Sequence, residues 1–182
     1  MKTRIILSIL LVTVFFTGCK NDKSVDSLEV VTPEKVVDET FKVTINATVN
    51  KDDTFSLYYT EDGTTDFKKA ALWMAFKGNN SPQDIVFTLP KDVLPTQLRL
   101  DFGITKDQEP IVINSFSMNY LNKEFKIPGN QFFILFDPDI TKTVFDKNTA
   151  TVTAVVKDGV RQSPSFYPNK KPLGDEINKL VK

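Results

Sequence analysis

The chain has 182 residues, 41% of them hydrophobic, and its 23 cationic side chains balance 23 acidic ones. That length suits one ordinary domain plus an export segment and a linker, with too much apolar residue for a disordered tail. There is no His and only one Cys, which excludes Ser-His-Asp and Cys-His nucleophile systems, His/Cys zinc sites and an internal disulfide.

Lys2 and Arg4 open the chain, and an apolar run from Ile5 to Phe16 follows, interrupted only by Ser8 and Thr13. A cationic start and a short apolar core form the pattern of a signal peptide. The run falls short of the roughly 20 residues a membrane-spanning helix needs. It ends in Phe16-Thr17-Gly18-Cys19, which resembles the bacterial lipobox. The resemblance implies cleavage between Gly18 and Cys19 and a diacylglycerol on the Cys19 sulfur. An ordinary signal peptide with a chance Cys, or an uncleaved anchor, would be the alternative. Each buried methylene contributes about 0.8 kcal/mol, so two or three acyl chains such as palmitate would hold the protein to a membrane. Lys20 rather than Asp follows the Cys, and the lipobox resemblance then implies an outer-membrane lipoprotein, in the periplasmic or the surface leaflet. Loss of residues 1–18 removes Lys2 and Arg4 and leaves 21 cationic against 23 acidic side chains, a net charge of −2. Such a surface has no electrostatic footprint for nucleic acid.

Residues 19–39 are polar and without period, the composition of a tether. A β domain is expected over 40–165, and a C-terminal extension with a short helix over 166–182. Phe41, Val43, Ile45, Ala47 and Val49 alternate with polar residues, as do Phe55, Leu57 and Tyr59, the period of half-buried strands. Further strands are expected at 85–89, 97–102, 111–120, 124–127, 131–136, 143–145 and 149–156. Turn signals separate most of them, among them Ser81-Pro82, Pro128-Gly129, Asp137-Pro138 and Asp158-Gly159. Many short strands so spaced predict an all-β, antiparallel, jelly-roll-like sandwich with a phenylalanine-rich interior. In 111–120 the large residues change phase between 113 and 116, which predicts a β-bulge. Phe67 to Ala71 leans helical, with Asp66 as a plausible N-cap, and Leu72 to Phe76 leans strand. Leu173, Ile177, Leu180 and Val181 predict a helix after a connector containing Pro164, Pro168 and Pro172.

From Phe55-Ser-Leu-Tyr-Tyr59 through Trp73, Gln83-Asp-Ile-Val-Phe-Thr-Leu-Pro90 and Leu98-Arg-Leu-Asp101 to Phe116, the chain resembles β-sandwich modules of the carbohydrate-binding or galactose-binding-like kind. The resemblance implies fold more than function, and no metal or catalytic motif comes with it.

Four residues are candidates for ligand binding. Trp73 and Tyr58 offer flat faces on which sugar rings stack, although a lone Trp in a β domain is more often core. Arg99 and Asp101, two apart on a strand, face the same way and are able to hydrogen-bond hydroxyls, or else form an ordinary surface ion pair. Acids also cluster at Asp52-Asp53, Glu61-Asp62 and Asp137-Pro138-Asp139. Asp62 to Asp66 offers oxygens for calcium but does not match an EF-hand, and turns favour Asp in any case. No catalytic residue, metal or cofactor is expected. The expected function is a non-catalytic, lipid-anchored envelope module that binds a glycan or a protein partner. The alternatives are an accessory subunit of an envelope complex or a carboxylate glycosidase.

Overall fold

The computed structural model describes residues 38–69 and 71–182. The expected export segment with Gly18 and Cys19, and the expected tether as far as residue 37, lie outside the described residues. Among the described residues no helix is long and apolar enough to cross a membrane.

In chain order the strands are β1 (Lys42–Val49), β2 (Asp53–Thr60), β3 (Leu72–Phe76), β4 (Asn79–Thr88), β5 (Gln97–Asp101), β6 (Ile111–Tyr120) and β7 (Lys123–Pro128). A 3-10 turn (Gly129–Ile134) comes next, then β8 (Phe136–Pro138), β9 (Thr143–Asp146), β10 (Thr151–Ala154), β11 (Val156–Lys157), β12 (Val160–Arg161), β13 (Ser165–Pro168) and α1 (Lys170–Val181). All pairings are antiparallel. One sheet runs β4-β1-β6-β10-β9, with β7 also on β6; the other runs β3-β2-β5-β13-β8. The chain crosses between the two sheets after β1, β3, β4, β5, β7 and β8 and again between β10 and β13, so the two inner faces form together. The result is the antiparallel β-sandwich with a C-terminal helix that the alternation predicts.

Strict alternation explains which residues are inside. Every second residue of β1 from Val43 to Val49 is buried, as are Phe55 and Leu57 of β2 and Leu98 and Leu100 of β5. Eight phenylalanines are buried among the described residues, and Phe102, Phe116, Phe132, Phe136 and Phe166 contact one another at 4.6–6.2 Å between ring centroids. Edge-to-face pairs of this kind add about 0.5–1.5 kcal/mol each beyond area burial. Helix α1 buries Leu173, Ile177 and Leu180, one stripe at helical spacing, and contacts β5 of one sheet and β6 and β7 of the other.

The bulge in β6 is present. Asn46 pairs Ser115 while Ala47 pairs Ile113, so Asn114 is the extra residue. On the other edge of β6, Ile111 and Val112 pair with β10, whereas Ser115 to Tyr120 pair with β7. The bulge therefore lies where β6 exchanges one neighbour for another.

Several expected elements differ. Residues 131–136 do not form a strand. Phe132, Leu135 and Phe136 are buried while Ile134 is exposed, a spacing of three and four that a helical turn satisfies and a strand does not. Phe67–Lys69 is irregular rather than helical, because Asp66 is spent on an ion pair with Lys68 instead of capping a first turn. Ser81-Pro82 is not a turn but part of β4, which is tolerated because β4 is an edge strand where a missing N–H leaves no ladder bond unmade. Asp137-Pro138 belongs to β8, and 149–156 divides between β10 and β11. The proline-containing connector holds β13, whose Phe166 is fully buried. The expected boundary between residues 165 and 166 falls inside that strand.

Candidate functional site

The β3-β2-β5-β13-β8 sheet turns one face to the core and the other to solvent. On β2, Phe55 and Leu57 point inward, so Ser56 and Tyr58 point outward. On β5 the same alternation sends Arg99 and Asp101 outward, and on β13 it sends Tyr167 outward opposite the buried Phe166.

Register then assembles the face. Tyr58 lies opposite Arg99, and Ser56 lies opposite both Trp73 on β3 and Asp101 on β5. Ser165 pairs with Asp101 and Phe166 with Leu100, which sets Tyr167 beside Arg99 on the far side from Tyr58. Two rows result: Trp73, Ser56, Asp101 and Ser165 in one, and Tyr58, Arg99, Tyr167 and Asp137 in the next. All four residues expected at a binding surface are thus on one face of one sheet.

Trp73 is 56% exposed, so it belongs to the surface and not the core. Its neighbours Leu72 and Met74 take the inward positions and pack on the core. The Arg99 guanidinium carbon lies 4.8 Å from the Tyr58 ring centroid and 4.7 Å from that of Tyr167, within the range of cation–π attraction. Arg99 also donates two hydrogen bonds to Asp101, Nε to Oδ1 at 3.0 Å and Nη2 to Oδ2 at 2.8 Å. Arg99 covers the ring faces that Tyr58 and Tyr167 turn toward it. Trp73 is the broad open ring of this face. Ser56 Oγ is buried between Trp73 and Asp101 and has no hydrogen-bond partner.

Sequence reasoning missed Tyr167 and Ser56. The alternation Ser165, Phe166, Tyr167 was the available signal for the first, masked by the prolines on either side. Ser56 had no signal, since its significance comes from the strands on both flanks.

No protein-family model, no curated protein and no solved structure matches this chain. What the face can bind therefore follows from its own side chains.

The acidic clusters serve other ends. Asp62 accepts from the backbone N–H and the hydroxyl of Thr64, and these bonds hold its carboxyl below the usual range, the hydroxyl contributing most. Glu61 pairs with Lys69 and Asp66 with Lys68. These residues line a recess of about 340 Å³ between β2 and β3, but each acid there is already engaged. Asp52 pairs with Lys77 and accepts from the Gly78 N–H, which lowers its pKa, the lysine contributing most. Asp53 is buried and accepts from the N–H groups of Thr54, Ile104 and Thr105 and from Gln108 Nε2. Among the described residues no group of three or more Asp, Glu, His or Cys side chains is placed to hold a metal ion.

Proposed function

We propose that the protein is a non-catalytic, lipid-anchored module of the cell envelope, most simply of the outer membrane, that binds a glycan on the outer face of the β3-β2-β5-β13-β8 sheet. The observation that supports this most is the 56% exposure of Trp73 beside the Arg99–Asp101 pair. A wide ring open to water beside fixed donors and acceptors suits a molecule with both C–H faces and hydroxyls. The sequence supports the anchor through Gly18 and Cys19.

A glycan array probed with the native protein and with Trp73→Ala tests the binding. Signal from the native protein that falls with the variant supports the proposal, and no signal from either discards it. Mass spectrometry of the processed chain tests the anchor, which requires an acylated Cys19 at the N-terminus; a bare thiol or a retained leader would remove it.

A further inference from the structure

We infer that this face takes an uncharged polysaccharide chain several rings long, laid across the strands from Trp73 toward Tyr167, rather than a single sugar; this rests on the glycan reading above. Three observations lead there. The first is span. Trp73 and Tyr167 stand on β3 and β13 with β2 and β5 between them, three strand spacings or about 14 Å apart across the sheet, more than one sugar ring covers.

The second is shape. The recesses of about 340, 440 and 400 Å³ lie against the loop after β2, the turn joining β1 to β2, and the junction of β7 with α1. The second of them reaches this face at Thr54 and Ala75, one step along the strands from Ser56 and Trp73, but none of the three is lined by Trp73, Tyr58, Arg99 or Tyr167. An open face touches one side of a ligand, so each ring contributes little and affinity has to come from several rings held in line.

The third is charge and polarity. Arg99 and Asp101 neutralise each other through two parallel hydrogen bonds. The other strand residue with charge on this face is the exposed Asp137, opposite Tyr167. A carboxylated or sulfated glycan would meet an unpaired carboxylate there and no spare cation among the strand residues. A neutral one meets the phenol of Tyr167 and the N–H groups of Arg99 that Asp101 leaves free. Hydroxyl groups of such a chain can both donate and accept, as these groups require.

The test is isothermal titration of the full chain in detergent with neutral polymers (xylan, mannan, a mixed-linkage glucan), with their di- and tetrasaccharides, and with polygalacturonate and hyaluronan. A neutral polymer should bind at least about tenfold more tightly per site than its disaccharide, a difference of about 1.4 kcal/mol. Trp73→Ala should abolish that advantage. Tyr167→Phe, which keeps the ring against Arg99 and so the fold, should weaken the polymer and leave the disaccharide unchanged. A disaccharide as tight as its polymer, preference for an acidic polymer, or no effect of Tyr167→Phe would overturn the inference while leaving glycan binding intact. No binding of any probe would overturn both.

Discussion

Arg99 grips Asp101 with a planar fork of two hydrogen bonds, 3.0 and 2.8 Å long, while both side chains are less than one-fifth exposed. Two residues apart on one strand would leave such a pair loose in water, but the rings of Tyr58 and Tyr167 hold the guanidinium from either side. Partial burial reduces screening, so the pair is worth more than an ordinary surface ion pair. Arg99→Leu and Asp101→Leu should each lower unfolding stability by about 2 kcal/mol. The double variant should lose clearly less than the sum. A urea-denaturation double-mutant cycle measures this, and strict additivity would show that the two groups act independently.

Asp53 does more for stability than its acidic neighbour. Its Oδ1 accepts three backbone N–H groups, those of Thr54, Ile104 and Thr105, at 2.8, 2.8 and 3.0 Å, and its Oδ2 accepts Gln108 Nε2 at 2.9 Å. It thereby ties the loop after β5 to the start of β2. The loop approaches so closely that a Cβ on Gly103, whose φ is +77°, would lie 2.3 Å from Asp53 Oδ2. Asp53→Ala strands several partly buried donors and should cost about 3 kcal/mol. Asp53→Asn keeps Oδ1 as an acceptor and loses mainly the Gln108 contact, so about 1 kcal/mol is expected. Thermal or urea unfolding of both variants checks the order; equal losses would mean that the backbone donors do not depend on this carboxylate. Asp52→Ala, at an exposed pair with Lys77, should change stability little.

The contrast between Asp52 and Asp53 marks what was legible in the sequence. Period-2 alternation revealed β1, β2 and β5 and the outward placing of Tyr58, Arg99 and Asp101, because side-chain direction in a strand depends on parity alone. It did not separate two adjacent aspartates in a turn, since which one is buried depends on a loop fifty residues later. The same limit explains Trp73. Its strand was legible, but its face is set by the register that puts it opposite Ser56 and Leu72 opposite Leu57. Tyr167 was hidden because prolines at 164 and 168 suggest a connector, although both fit at the ends of a short strand. The run from Phe132 to Phe136 is apolar without a break, so periodicity alone could not choose between a strand and a helical turn.

Asp139 makes acid stability a local matter. Its carboxylate accepts the Thr141 hydroxyl at 2.6 Å and the Thr141 N–H at 3.0 Å, and its backbone bonds to Ser165, Lys142 and Thr143 tie β8, β9 and β13 together. The Thr141 hydroxyl contributes most to holding the carboxyl below its ordinary 3.8, while burial opposes the shift. A carboxyl lowered on folding stabilises fully above the unfolded value and loses that contribution as pH falls through the folded one. Asp139→Asn should therefore be less stable than the native protein at neutral pH, and the gap should close below about pH 3.8. Melting temperatures of both proteins from pH 2 to 7 measure the gap. A gap constant across that range would show that ionisation of Asp139 is not what stabilises the turn.

Two glycines distinguish steric need from backbone preference. A Cβ on Gly129 would stand 1.8 Å from the Ile113 carbonyl oxygen and 2.6 Å from its carbon, against the segment of β6 that bulges at Asn114. Those atoms are backbone and cannot turn aside, and the Ile113 N–H is itself bonded to the Ala150 carbonyl at 2.9 Å. Gly159 has nothing within 4 Å of its Cβ position, but its φ is +76° in the two-residue turn with Asp158 that joins β11 to β12. Gly159→Ala should thus cost about 1 kcal/mol, the left-handed penalty alone. Gly129→Ala has to push β6 away from the 3-10 turn at the point where β6 passes from β10 to β7, and should cost upward of about 3 kcal/mol or prevent folding. Chemical denaturation and soluble yield of the two variants decide between them. Comparable stability would mean that β6 yields at its bulge, and the close approach of Gly129 would then have no part in holding the two halves of that strand in register.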